Sequence, residues 1–258
     1  MFGLFKRKTT VATFAPLVTD IHCHLLPRVD DGSKSMEETI ECLETMAEAG
    51  FEKVVVTPHF NRRFPNVAAD IKERYRTLCD ELEAAKHEKA MPTLSGITGE
   101  YCIDDHFRNY VEKEELLTCR FADASRGSEK GILLVEFSLH QQRMGADEVI
   151  SERQMAGYDI ILAHPERYPY FDRHSSLLEK LKEQGTYFQV NILSLDGFYG
   201  EVAQRKAFEY IENGWVEFLG TDMHNVIYAQ ALRHASANRK IIKLLERVHF
   251  ENQNIVVD

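Results

Sequence analysis

The chain contains no Cys-x-x-Cys pair, and its cysteines are odd in number: Cys23, Cys42, Cys79, Cys102 and Cys119. That excludes a dense disulfide framework and reads as reduced thiols in a cytoplasmic protein. No apolar run approaches the ~18 residues that a membrane span requires. The opening stretch, Met1-Phe2-Gly3-Leu4-Phe5-Lys6-Arg7-Lys8, places its basic residues after a very short apolar segment. That is the wrong order and length for a secretory signal. Residues 1–14 read instead as a flexible basic arm. Its first eight residues also suit a weak contact with anionic lipid or a membrane-bound partner at the inner face of the membrane. Positive charge is in deficit, with 31 Lys and Arg against 41 Asp and Glu and a formal net charge of -10. A general nucleic-acid binder, which needs clustered cations for phosphates, is disfavoured. An anionic substrate is not, because bound metal ions can reverse the local field. No convincing linker divides the chain; the polar stretch at residues 123–131 is too short. Residues 15–258 therefore read as one domain.

What remains is 258 residues that are 44% apolar, enough for a sizeable core. Short apolar, β-branched runs alternate with amphipathic segments. The apolar run Ala15-Pro16-Leu17-Val18 reads as the end of a first strand. Later strands are expected at residues 53–57, 93–103, 132–135, 159–163, 187–191 and 216–220. Helices are expected at residues 35–49, where Ser35 and Glu38 form a capping box and Gly50 a stop. Others are expected at 70–89, 104–117, 147–156, 175–184 and 201–212, with a long C-terminal helix over 228–248. Seven βα units imply parallel strands with right-handed crossovers, in a closed, irregular α/β barrel.

In such barrels, sites lie at the C-terminal ends of the strands. His22 and His24 follow the first strand, at the i, i+2 spacing that projects both side chains to one side. Asp31 lies just beyond. His59, Glu100, Glu136 and His164 follow the next four strands, and Asp222 and His224 follow the seventh. Each alone has an ordinary explanation: a Glu at a strand end is usually solvated, and a His before Pro is usually a turn residue. Nine at one topological position point to a metal centre. Imidazole and carboxylate without thiolate suit Mn, Fe or Zn, with Mn favoured. Nine ligands are too many for one ion and suit two or three.

The motifs His22-Cys23-His24, Thr57-Pro58-His59, Gly99-Glu100, Glu136, Ala163-His164-Pro165 and Asp222-Met223-His224 together resemble the polymerase and histidinol phosphatase (PHP) family. More narrowly, four segments are similar to the bacterial PHP-type tyrosine phosphatases of the CpsB/YwqE branch. These are His24-Leu25-Leu26-Pro27 with Asp30-Asp31-Gly32, Val135-Glu136-Phe137-Ser138, His164-Pro165-Glu166-Arg167-Tyr168, and Thr221-Asp222-Met223-His224-Asn225. The resemblance spans nearly the whole chain. It implies a distorted (β/α)7 barrel with a trinuclear metal site, acting on a phosphotyrosine protein, a tyrosine autokinase of capsule and exopolysaccharide export. It also implies a ligand assignment. His22, His24, Glu100 and Asp222 would hold one ion; Glu100, Glu136 and His164 a second; Asp31, His59 and His224 a third. Asp31 is preferred to Asp30 for its place next to Gly32.

A phosphomonoester dianion needs charge neutralisation and a nucleophile available at neutral pH, and divalent ions supply both. The expected chemistry is in-line attack on phosphorus by a metal-bound hydroxide, with Arg167 gripping a non-bridging oxygen. This branch often carries another arginine a few residues beyond its Asp-x-His-Asn motif. Here that place reads Val226-Ile227-Tyr228-Ala229, and the nearest arginine is Arg233. Phe60, Phe64, Tyr101, Phe137, Tyr168 and Tyr170 are candidates for a phenyl-ring pocket, or equally for ordinary packing. Competing readings are a histidinol-phosphate phosphatase, another PHP phosphoesterase, and a non-enzymatic metal-binding scaffold. Amidohydrolase chemistry would want a strand-end lysine where Glu100 and Glu136 stand. Cys102 to Arg108 matches the C-x5-R of cysteine phosphatases, but the loop lacks glycine and carries Asp104 and Asp105, which would repel phosphate.

Overall fold

The computed structural model describes residues 13–85, 89–113, 115–171 and 175–257. The basic arm expected over residues 1–14 lies outside these, apart from Thr13 and Phe14. Both are buried, and Phe14 stacks on Phe51 with ring centroids 5.8 Å apart.

The fold is α/β with mostly parallel strands. These are β1 (Thr19–Asp20), β2 (Lys53–Val56), β3 (His59–Phe60), β4 (Thr93–Ile97), β5 (Glu100–Cys102), β6 (Arg120–Phe121), β7 (Ile132–Glu136), β8 (Asp159–Ala163), β9 (Tyr187–Asn191), β10 (Phe218–Gly220) and β11 (Ile255–Val256). One parallel sheet runs β1-β2-β4 and a second β10-β9-β8-β7-β5-β3, while β6 and β11 form a small antiparallel pair. The helices are α1 (Met36–Ala49), α2 (Ala68–Ala84), α3 (Phe107–Glu112), α4 (Ala146–Met155), α5 (Ser176–Glu183), α6 (Ile192–Leu195), α7 (Glu201–Glu212), α8 (Val226–Ala235) and α9 (Arg239–Arg247). The Ser35 hydroxyl accepts from the Glu38 N–H, and the Glu38 carboxylate accepts from the Lys34 N–H, so α1 begins with a box-like cap. Gly50 ends it at φ 106°.

Alternation along the strands separates two cores. On β7, Leu133 and Val135 join the large cluster shared with the helices, whereas Ile132 and Leu134 join a smaller one with Phe121, Ile161, Ala163, Phe218 and Ile255. Continuing the smaller-cluster face toward the strand ends leads to Glu136 on β7 and to Gln189 and Asn191 on β9. The period of two therefore hands one sheet face from an apolar floor to a polar site.

Several expectations give way to local physics. The first strand does not occupy residues 15–18. Ala15–Leu17 is a 3-10 turn with proline in its first residues, and Val18 sits at φ 62°. The second and third units are each split. Pro58 has no N–H for a ladder, so β3 leaves β2 and pairs with β5. The long C-terminal helix breaks between α8 and α9, where the Asn238 side chain accepts from the Lys240 N–H and starts a new helix.

The two sheets meet through specific polar ties. Cys23 and Met223 form a parallel bridge, with the His24 N–H donating to the Met223 carbonyl and the Asp222 N–H to the His22 carbonyl, each at 2.8 Å. The buried Asn252 amide donates to Thr19 O (2.9 Å) and Leu219 O (2.6 Å) and accepts from Leu219 N (3.0 Å). One side chain thus stands in for the missing β1–β10 ladder. Asn252→Leu leaves three buried backbone groups unpaired and is expected to destabilise the fold by roughly 3 kcal/mol. Denaturant unfolding reads this as a lower midpoint at unchanged slope.

Candidate metal and phosphate site

All nine candidate ligands converge at the C-terminal ends of the parallel strands. His22, His24 and Glu100 are fully buried, and Asp222 is 1% exposed. His22 Nε2 lies 3.2 Å from His24 Nε2, 3.3 Å from Glu100 Oε1 and 3.6 Å from Asp222 Oδ1. His24 Nε2 lies 3.3 Å from Glu100 Oε2 and 3.4 Å from Asp222 Oδ1. Metal–ligand bonds of about 2.1 Å in tetrahedral or octahedral array put neighbouring donors roughly 3.0–3.4 Å apart, which matches these spacings. Around them, Glu100 Oε1 is 3.0 Å from His164 Nε2, and His59 Nδ1 is 2.9 Å from Glu100 Oε2 and 3.4 Å from Glu136 Oε1. On its other side, His59 Nε2 is 3.5 Å from Asp31 Oδ1, and His224 Nε2 is 3.9 Å from the same oxygen. Among the described residues, four groups of three donors form, each within 4.8 Å: His24, His59 and His224; His22, Glu100 and His164; His22, His24 and Asp222; His59, Glu100 and Glu136.

Several buried polar atoms inside this cluster make no well-aligned hydrogen bond. They include Asp31 Oδ1, His59 Nδ1 and Glu100 Oε2, although the last two lie 2.9 Å apart. A buried orphan is costly, and several facing one centre fit divalent ions as the missing partners. The electrostatics agree. Burial alone would raise the Glu100 carboxyl, but His22 and His59 hold it well below the usual range. Burial would lower His59, yet beyond its repulsion from His24 the Glu100 carboxylate wins and lifts it to about 10. The cluster therefore attracts cations, and a metal ion must displace protons to enter. His224 differs: burial and His24 push it down to about 4, leaving a neutral imidazole.

The two neighbouring aspartates divide their work. Asp30 Oδ2 bonds His24 Nδ1 and the His59 N–H, each at 3.0 Å, and Asp30 Oδ1 accepts from the Gly32 N–H. Its carboxylate is spent orienting ligands, whereas Asp31 offers an oxygen to the cluster. Gly32 is required beside them, because a Cβ there would lie 2.1 Å from the His24 carbonyl oxygen. His164 and Asp222 stand at φ 36° and 52°, two of four non-glycine residues at positive φ among those described. Strain of this kind collects at functional sites.

The sequence reading missed the orienting shell. Gln189 Oε1 sits 2.7 Å from His22 Nδ1, fixing the ring so that Nε2 faces the cluster. Gln189 Nε2 donates to Asn191 Oδ1, and Asn191 Nδ2 donates to Asp222 Oδ2 at 2.8 Å. A side chain at Gly220 would collide with both Gln189 and His22. The signal was present: two polar residues at period two on an otherwise apolar strand. Gln189→Leu is expected to weaken metal binding by about 10- to 100-fold, and a metal titration of the chelated protein checks it. Unchanged affinity would contradict the orienting role.

Arg167 donates to Asp222 Oδ2 at 2.7 Å, and its guanidinium lies 4.2 Å from the centre of the Tyr199 ring. It borders a cleft of about 290 Å³ together with Asp31, His59, Glu136, His164, Asp222, His224 and Tyr228. Of the six aromatics that suited either a phenyl pocket or ordinary packing, four pack. Phe60, Tyr101, Phe137 and Tyr168 are buried in the core, and Tyr168 is consumed by bonds to Phe137 N and Ala163 O. Phe64 and Tyr170 stay partly exposed. Phe64 stacks on His59 with ring centroids 5.9 Å apart, and Tyr228 stacks on His224 at 5.0 Å. Cys102 is unsuited to nucleophilic attack: burial and the Glu136 and Asp104 carboxylates push its thiol well up. All five cysteines are free. Among the described residues, no helix is long and apolar enough to cross a membrane.

The chain is similar in sequence and in fold to known proteins. A family model for capsular polysaccharide synthesis, CpsB/CapC, matches residues 18–251. The tyrosine-protein phosphatase YwqE of Bacillus subtilis (strain 168) is 29% identical over 208 residues, covering 80% of this chain and 77% of that protein. The tyrosine-protein phosphatase CpsB of Streptococcus pneumoniae is 26% identical over 220 residues, covering 80% and 83%. A solved structure, described as one of YwqE and CpsB, metal-dependent tyrosine phosphatases, aligns at TM-score 0.71 and 26% identity over 88% of this chain and 90% of that one. With its family model matched from residue 18 to residue 251, the chain belongs to the CpsB/CapC family.

Proposed function

We propose that this protein is a metal-dependent protein-tyrosine phosphatase whose substrate is a phosphotyrosine protein, a tyrosine kinase of capsule or exopolysaccharide export. The observation that carries the reading is a cluster of eight imidazole and carboxylate side chains, with Asp31 beside His59 as a ninth and Arg167 against its edge. The names of the relatives support the substrate class. We further propose that the two parallel sheets are arcs of one distorted (β/α)7 barrel, tied at the β1–β10 seam, and that residues 15–258 form one domain.

The donor set fits two or three divalent ions, Mn favoured over Fe or Zn. His22, His24, Glu100 and Asp222 would hold one, Glu100, Glu136 and His164 a second, and Asp31, His59 and His224 a third. Glu100 would be shared, since its two oxygens face different neighbours. Bound ions would neutralise phosphoryl charge and supply an ionised water at neutral pH. The chain's own residues do the rest. Asp222 presents Oδ1 to the cluster and Oδ2 to Arg167, so one carboxylate sets ligand and guanidinium together. Arg167 is thereby pre-aimed at a non-bridging phosphoryl oxygen, without reorganisation during reaction. Tyr228 lines the cleft and Phe64 stacks on its His59, so both offer aromatic faces to a phenyl ring. A phenolate is a good leaving group, so no strong general acid is demanded.

Turnover of a phosphotyrosine peptide compared with histidinol phosphate and a phosphoserine peptide tests the substrate class. Preference for the phosphotyrosine peptide is expected; preference for histidinol phosphate would move the function to small-molecule metabolism. Cys102→Ser is expected to keep activity within about twofold of wild type, as its suppressed thiolate takes no part. A loss beyond tenfold would revive cysteine chemistry.

A further inference from the structure

Among the described residues that line this cleft, the guanidinium is that of Arg167, already paired with Asp222. Arg233, the nearest arginine beyond the Asp222-Met223-His224-Asn225 motif, is not available. It lies in the last turn of α8, paired with Glu48 at 3.1 Å. A different arginine stands at the mouth. The loop after β3 carries Arg63, whose Nη1 donates to Asp31 Oδ2 at 3.1 Å. The other oxygen of that carboxylate faces His59 and His224. The Arg63 guanidinium rests 4.8 Å from the centre of the Phe64 ring, and Phe64 stacks on His59.

The loop is fixed in place rather than loosely draped. Asn61 Oδ1 accepts from the Arg63 and Phe64 N–H groups, and the Arg62 N–H donates to Asp104. Asn66 Nδ2 donates to the carbonyls of Val29 and His59. The backbone holds Arg63 beside Asp31, which lines the cleft, while 74% of its side chain stays exposed. Asp31 thus links Arg63 to the candidate ligand cluster, as Asp222 links Arg167 to it.

We propose that Arg63 is the second phosphate-binding residue, exchanging part of its contact with Asp31 for a phosphoryl oxygen when substrate enters. This rests on the phosphatase reading. Here Arg63 would supply, from the β3–α2 loop, the cation that the segment after Asn225 lacks. A guanidinium–phosphate contact is charge-assisted, so its loss is expected to weaken binding about tenfold or more.

The test uses the metal-loaded full chain and inorganic phosphate as the probe. Arg63→Ala should raise the calorimetric Kd for phosphate and the KM for a phosphotyrosine peptide by about tenfold, with bound metal per chain unchanged. Arg63→Lys should recover part of both, and Arg233→Ala should change neither. Unaltered phosphate binding in Arg63→Ala would overturn the proposal. So would loss of metal with activity restored by excess Mn²⁺, which would make Arg63 only a support for Asp31. A wild-type protein that binds phosphate through Arg63 but fails to turn over the peptide would sink the substrate reading and keep this one.

Discussion

Glu100→Gln is expected to lower kcat/KM by at least about a thousandfold and to reduce the bound metal per chain. Glu100 is fully buried at the centre of the cluster, within 3.3 Å of His22, His24, His59 and His164. Its charge offsets the burial that would otherwise drive His22, His24 and His59 neutral. Glutamine keeps the shape and removes both the charge and one acceptor. A divalent ion contributes several kcal/mol to phosphoryl-transfer chemistry, and each 1.36 kcal/mol is a factor of about ten in rate. Elemental analysis alongside steady-state kinetics checks the pair of effects. Because the substitution is isosteric, circular dichroism should be unchanged. Full activity with full metal content would remove Glu100 from the centre of the account.

Arg167→Ala is the second large effect: a fall of about 10²- to 10³-fold in kcat, as for loss of one preorganised donor at developing charge. Here metal content should be retained. Asp222 still faces His22, His24 and His224, and Asn191 and Tyr199 still hold its outer oxygen. Arg167→Lys should recover little, because a point charge does not reproduce the planar fork lying over Tyr199. Retained metal with lost turnover separates a substrate contact from a ligand support. Loss of metal in Arg167→Ala would assign Arg167 to holding Asp222 instead.

The site was more legible in the sequence than the fold that carries it. Ligand side chains must be His, Asp or Glu, and parallel strands deliver them at their ends, so His22, His59, Glu100 and Asp222 announce themselves by type and position. Orienting residues carry no such mark. Gln189 and Asn191 look like ordinary polar residues until the small-cluster face of β9 is known. The choice between Asp30 and Asp31 turns on which carboxylate the Gly32 N–H occupies, a contact that spacing alone does not reveal. In the fold, helices with local caps were readable, as with Ser35 and Gly50. Features set by long-range contacts were not. Asn252 ties β10, 33 residues away, to β1, 233 residues away, and β6 and β11 pair from distant segments. Sequence position left pocket and packing equally open for the aromatics: Phe60 and Tyr101 neighbour candidate ligands but occupy the alternate positions of β3 and β5, and Tyr168 follows a 3-10 turn that turns it into the core.

The central claim is that the buried His and carboxylate cluster works by holding divalent metal ions against a phosphomonoester. The direct measurement is hydrolysis of a phosphotyrosine peptide by the chelated protein, before and after Mn²⁺ is restored. The account predicts loss of turnover on chelation and its return with two or three ions bound per chain. Undiminished turnover by protein shown to be metal-free would contradict it.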